Sequence, residues 1–134
     1  MNHSCRAVYY VGKDGNRHAF PNSRIFFTWY GGFESVEEVA LTTLSTFPLG
    51  TNVQYRAGVR MVKFTTDPKV YAVSRGGLLR WIKTETLARA YYGNTWNTRV
   101  DDIPDSFYDN YTFGDDLTAV ADYNPETERA HSTE

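Results

Sequence analysis

Six aspartates, Asp101, Asp102, Asp105, Asp109, Asp115 and Asp116, fall in one stretch that contains no Lys or Arg. Hard oxygen ligands at that density suit Ca²⁺, which takes several carboxylate and carbonyl oxygens and tolerates irregular geometry. The spacing is not that of an EF-hand loop. Asp101, Asp102, Asp105 and Asp109 are therefore the candidate metal ligands and calcium the candidate cofactor. The competing reading is a set of turns capped by aspartate, which Asp105 beside Pro104 fits well. Of the three histidines, His3, His18 and His131, only His18 lies in a patterned region, and an imidazole without convergent partners does no catalysis. The metalloprotease, phosphate-loop, serine-hydrolase and dinucleotide-binding signatures are absent. Glu34, Glu37, Glu38 and Glu85 contain carboxylates enough for glycoside hydrolysis, yet nothing in their spacing selects an acid and base pair. No catalytic residue is assigned, and a non-enzyme is expected.

Aromatic side chains are the richest feature, with 8 Phe, 10 Tyr and 3 Trp. They suit sugar rings or an apolar partner, because an aromatic face with a polar rim makes a wet recognition surface. Trp29, Tyr30, Phe33, Tyr91 and Tyr92 recur at matching places in two halves of the chain, and a type kept at both places is most simply core packing. Trp81 and Trp96 have Ala19 and Phe33 as their counterparts. That difference makes Trp81 and Trp96 the candidate ligand-binding residues.

The elements that must position these side chains come from an internal repeat. Val8-Tyr9-Tyr10-Val11 matches Val70-Tyr71-Ala72-Val73, and the same spacing relates Gly15 to Gly77, Tyr30 to Tyr92 and Gly31 to Gly93. After a short insertion, Val36-Glu37-Glu38-Val39 matches Val100-Asp101-Asp102-Ile103, Phe47 matches Tyr111, and Gly50 matches Gly114. Ordered matches of this kind define two copies of one supersecondary unit, about residues 7–62 and 69–120. Residues 1–6 form an N-terminal arm. Residues 121–134 are polar and acidic with no periodicity, which predicts a frayed tail.

Each unit starts with two alternating β-branched and aromatic runs around a glycine turn, which predicts a hairpin over 8–20 and another over 70–82. A short helix follows each, capped by Asn22 or Ser23 in one and by Thr84 in the other, and stopped by Gly31 and Gly93. Then come a strand at 36–39 or 99–103 and a helical turn. Residues 52–56 and 60–65 read as strands around Gly58. The expected class is α+β: two repeated β-hairpin-plus-short-helix units packed into one compact domain with short antiparallel strands.

A chain of 134 residues fits one domain or two small units. Cys5 is the single cysteine, so burial of apolar surface and not disulfides or a Cys-based zinc site must hold the fold. No stretch approaches the roughly 20 apolar residues of a membrane helix, and Met1 to Val11 lacks the apolar run of a signal peptide. A pI near 5.9 speaks against nucleic acid as a partner. Charge is unevenly spread: residues 1–100 carry 13 basic and 6 acidic side chains, and residues 101–134 carry 1 and 10. Such a split favours contact between the halves or between copies of the chain.

The runs AVYYV-GKDG-NRHAFPN, FFTWY-GGF, PLGTNVQYRAGVRMVKF, KVYAVSRGGLLRWI and ARAYYGNTW followed by VDDIPDSFYDNYTFG resemble a module of very large secreted or surface proteins of candidate-phyla and related bacteria. The resemblance covers about residues 7–117. It implies an extracellular or cell-surface setting as part of a larger secreted protein, and little mechanism. The function expected is a non-catalytic extracellular or surface module acting as spacer, adhesion or assembly element. A carbohydrate- or cell-wall-binding module is the alternative, and a glycan-directed hydrolase is third. The expected partners are a cell-surface glycan or protein, or copies of the chain itself, without nucleic acid and without membrane insertion.

Overall fold

Alternation of side chains across Tyr9-Tyr10-Val11 and Arg17-His18-Ala19, with Gly15 at φ 80 in the turn between them, closes a hairpin. A computed structural model describes residues 7–132; the N-terminal arm at 1–6, with His3 and Cys5, lies outside the described residues. Contacts divide the chain into two compact units, Met1–Gln54 and Tyr55–Thr133.

In the first unit β1 (Tyr9–Val11) and β2 (Arg17–Ala19) pair antiparallel, Tyr9 opposite Ala19 and Val11 opposite Arg17. Helix α1 (Ser23–Trp29) follows, and the Asn22 side chain accepts the Ile25 backbone N–H at 2.9 Å as its cap. Its β-branched and aromatic residues are mediocre helix formers. Packing compensates: Ile25 and Phe26 are buried, and Phe26 stacks on Phe33 at 4.7 Å and meets Phe20 edge-on at 5.2 Å. Residues 36–39, read from sequence as a strand, form none, and α2 (Leu41–Leu44) comes next. The chain then returns to β2, where Arg17 bridges Leu49 in parallel and the N–H groups of Gly50 and Val53 donate to the Arg17 and Ala19 carbonyls, each at 2.8 Å.

The second unit is built on a five-stranded sheet of β3 (Met61–Phe64), β4 (Tyr71–Ser74), β5 (Leu78–Trp81), β6 (Val100–Ile103) and β7 (Thr112–Phe113), in the order β6-β3-β4-β5-β7. β3, β4 and β5 run antiparallel, whereas β6 lies parallel to β3 and β7 parallel to β5. The sheet is therefore mixed and not purely antiparallel as expected, because helix α3 (Glu85–Tyr92) carries the chain back before it re-enters beside β3. Thr84 caps α3 through the Leu87 N–H at 3.2 Å, and Gly93 ends it at φ 86. The fold class is α+β.

Alternation along the strands divides this sheet into two faces. On the helix side Met61, Ala72, Ile82, Leu87, Ala88, Leu117 and Tyr123 form a buried cluster. Tyr123 belongs to the stretch read as a frayed tail. Its hydroxyl donates to the Val73 carbonyl at 2.8 Å, and after it comes α4 (Pro125–Ala130), with the Asn124 side chain as cap, Pro125 in the first turn, and Glu126 and Glu128 at the dipole's positive end. Glu128 also pairs with Arg75 at 3.1 Å. One buried aromatic and a capped start thus order a segment whose polar composition predicts fraying. Among the described residues no helix is long and apolar enough to cross a membrane.

Candidate functional site

The opposite face of the five-stranded sheet carries Val62, Phe64, Tyr71, Val73, Leu79 and Trp81 by strand alternation. Toward β3 it is closed by Tyr55, Ile103 and Tyr111, all buried. Toward β5 and β7 it opens into a cleft of about 330 Å³ lined by Asp67, Lys69, Tyr71, Leu79, Trp81, Tyr108, Phe113, Gly114 and Asp116. Tyr71 and Trp81 are cross-strand partners. Phe113 lies 5.4 Å from Tyr71 and 5.0 Å from Tyr108, ring centre to ring centre, so three aromatics make one wall. Phe113 and Tyr108 keep 41% and 53% of their surface exposed, which leaves part of each open to a ligand. Gly114 lets the chain approach closely here: a Cβ on it would lie 2.7 Å from Leu78 Cδ2, so the Leu78 side chain would have to shift, and its N–H donates to the Leu79 carbonyl at 2.9 Å, holding β7 against β5.

The polar groups of the cleft are fixed in place. The Asp67 carboxylate accepts the Lys69 backbone N–H at 3.0 Å and the Tyr71 hydroxyl at 3.1 Å, the first of these an Asx turn. Burial, and next the Asp67 hydrogen bond, push the Tyr71 phenol up to about 12. It stays a neutral donor across the physiological range. Lys69 Nζ and Lys83 Nζ lie 4.7 and 5.1 Å from the centre of the Trp81 ring, within cation–π range, and Lys83 reaches Asp116 at 4.0 Å. Carboxylate acceptors, ammonium donors and aromatic rings therefore meet in one open groove.

The structure separates the two candidate tryptophans. Trp81 lines the cleft, whereas Trp96 packs half-buried against the helix-side cluster. The four candidate calcium ligands are also dispersed. Asp101 and Asp102 point to opposite faces of β6: Asp101 is 1% exposed and accepts from the Tyr55 hydroxyl at 2.7 Å and Arg60 Nε at 2.8 Å, and Asp102 is exposed with Lys63 at 4.0 Å. Asp105 accepts from the Thr65 and Thr66 hydroxyls at 3.3 and 2.7 Å, and Asp109 is exposed. Among the described residues no group of three or more His, Cys, Asp or Glu side chains comes together as metal ligands do. Of the glutamates considered for hydrolysis, Glu85 is held by Arg89 at 2.6 Å on α3, and none lines the cleft.

Sequence reasoning did not single out Asp67, Lys69, Tyr71, Tyr108 or Phe113 as site residues, and named Asp116 only within the aspartate-rich stretch. A usable signal exists for Tyr71, since closing the second hairpin around Gly76 and Gly77 sets it directly across from Trp81. Asp67 and Lys69 come from the turn between β3 and β4, and Tyr108, Phe113 and Asp116 reach the cleft through the parallel return of β7, which no local pattern announces. No protein-family model, curated protein or solved structure matches this chain.

Proposed function

We propose that the chain is a non-catalytic adhesion module of an extracellular or cell-surface protein, and that it binds a glycan in the cleft around Trp81. The observation that carries this reading is the cleft itself: Tyr108 and Phe113 stay partly exposed beside Trp81, with Asp67, Asp116, Lys69 and the Tyr71 hydroxyl spaced among them. A pyranose presents apolar C–H patches and a rim of hydroxyls, and such a groove matches both, the rings by stacking and the polar groups by hydrogen bonds. The test is retention of the purified protein on a panel of insoluble polysaccharides and cell-wall preparations, with reducing-end release measured in parallel. Saturable, salt-resistant retention without release of sugar supports the binding module. Release of sugar turns the reading to a hydrolase, and failure to bind any polymer leaves a spacer.

The two units are, in this proposal, copies of one hairpin-plus-helix unit. Several pairings at equivalent positions support it. Tyr9 pairs with Ala19 as Tyr71 pairs with Trp81. The Phe20 N–H donates to Val8 as Ile82 does to Val70; Gly50 to Arg17 as Gly114 to Leu79; and Val53 to Ala19 as Leu117 to Trp81. Asn22 and Thr84 cap the two helices from matching places. Trp81 stands where the first copy has Ala19, so the glycan cleft is a property of the second copy.

A further inference from the structure

Two ammonium groups share one indole in the cleft of the second unit. Lys69, in the turn before β4, and Lys83, just past the end of β5, hold their Nζ atoms 4.7 and 5.1 Å from the centre of the Trp81 ring. Tethered to one ring, the two like charges lie within about 10 Å of each other and repel. An anion placed between them relieves that repulsion and is attracted by both.

The carboxylates of the cleft do not fill that role. Asp67 gives one oxygen to the Lys69 backbone N–H and the other to the Tyr71 hydroxyl, so it is spent on shaping the turn. Asp116 stands 4.0 Å from Lys83 Nζ, beyond hydrogen-bond reach, with both side chains nearly half exposed, and a pair of that kind contributes little. The indole itself discriminates between sugars. A neutral pyranose that stacks on Trp81 has to displace the ammoniums from the ring, whereas an anionic one keeps them there and takes their N–H donors, with its own ring against Tyr108 and Phe113.

We infer that the ligand is an anionic glycan, a sugar whose carboxylate, sulfate or phosphate substituent sits between Lys69 and Lys83. The inference rests on the glycan reading above and names the class of sugar. Aromatic contact and charge then have separate parts: contact with the rings withstands salt and gives retention, while the exposed lysines, which salt screens, give the choice between sugars. Asp116 is the counter-charge at Lys83 with which the substituent competes, and it holds the affinity down.

The test sets charged against neutral forms of one backbone. Polygalacturonate, its carboxyl-reduced neutral form, and that neutral form after sulfation or phosphorylation are titrated into the whole chain by calorimetry. A charged form should bind at least tenfold more tightly than the neutral one at low salt, the tightest of the three identifying the substituent, and the gap should close in about 1 M salt. Lys69→Gln and Lys83→Gln should each weaken the charged form about threefold. Asp116→Asn should tighten it by about the same factor, a gain that misfolding cannot produce. The neutral form should bind all three variants as it binds the wild type. Equal affinity for charged and neutral forms, charged binding indifferent to both lysines, or looser charged binding in Asp116→Asn would overturn the anion selectivity and leave the glycan reading standing. No binding of any form, together with no retention on the neutral and acidic polysaccharides of the panel, would overturn both.

Discussion

Asp101→Ala should be the most damaging single change on the second unit's sheet. The carboxylate is 1% exposed and accepts from the Tyr55 hydroxyl at 2.7 Å and from Arg60 Nε at 2.8 Å. Removing one partner of a buried, hydrogen-bonded ion pair costs about 3–5 kcal/mol, since the charge left behind is desolvated without compensation. The Arg60 side chain keeps 32% of its surface and a second bond to the Thr98 carbonyl at 2.9 Å. Its guanidinium therefore reaches water when Asp101 is lost, which sets the expectation at the lower end, about 3 kcal/mol. For a unit of this size that is a fall of roughly 15 °C in Tm. Urea unfolding followed by circular dichroism reads the loss as a lower midpoint at unchanged m-value. Tyr55→Phe should cost about 1–2 kcal/mol, as one hydrogen bond to a charged acceptor, and the double variant should lose less than the sum because the two residues share that bond. A loss below about 1 kcal/mol for Asp101→Ala, or strict additivity with Tyr55→Phe, would refute the claim that this triad is a buried, coupled support of the sheet.

Other consequences are equally open to measurement. Gly58→Ala should destabilise the second unit by about 2 kcal/mol or more, since Gly58 has φ 78 and a Cβ there would lie 2.0 Å from the Pro125 carbonyl oxygen; amide exchange in α4 should accelerate, and an unaltered Tm would contradict it. Burial pushes the Tyr92 and Tyr111 phenols up to about 12, above the ordinary value near 10 of an unfolded chain. Deprotonation then favours the unfolded chain, so stability from these groups is intact below pH 10 and is lost as the pH rises through 12; phenolate absorbance should lag free tyrosine over that window. Addition of excess EDTA should leave Tm unchanged, because a bound ion would stabilise the folded state and the four candidate aspartates are dispersed; a clear drop would restore a calcium site.

Local chemistry made much of this fold readable. Alternation plus glycine at a positive φ marks both hairpins, and Asn22, Thr84 and Gly93 sit where caps and stops should be. Partnering is what local pattern does not carry. Residues 36–39 and Val100–Ile103 look alike, but only the second becomes a strand, because β3 lies beside it. Residues 124–128 offered a legible helix start, Asn-Pro-Glu-Thr-Glu, masked by polar composition and anchored by Tyr123 from the far side of a loop. The aspartate cluster misleads for the opposite reason: neighbours in sequence on β6 alternate between faces, so Asp101 and Asp102 diverge. At the candidate site Trp81 was legible as the aromatic absent from the other half, whereas Tyr108, Phe113 and Asp116 depend on the parallel strand β7.

The most direct test of the central claim is calorimetric titration of soluble fragments of whichever polysaccharide retains the protein, against wild type and Trp81→Ala. Circular dichroism and Tm confirm that the half-buried Trp81 has been removed without unfolding the sheet. If the cleft binds glycan, the variant stays folded and its affinity falls at least tenfold, while Trp96→Ala lowers stability and leaves the affinity of the folded fraction unchanged. Undiminished affinity in folded Trp81→Ala would contradict a binding site at this cleft.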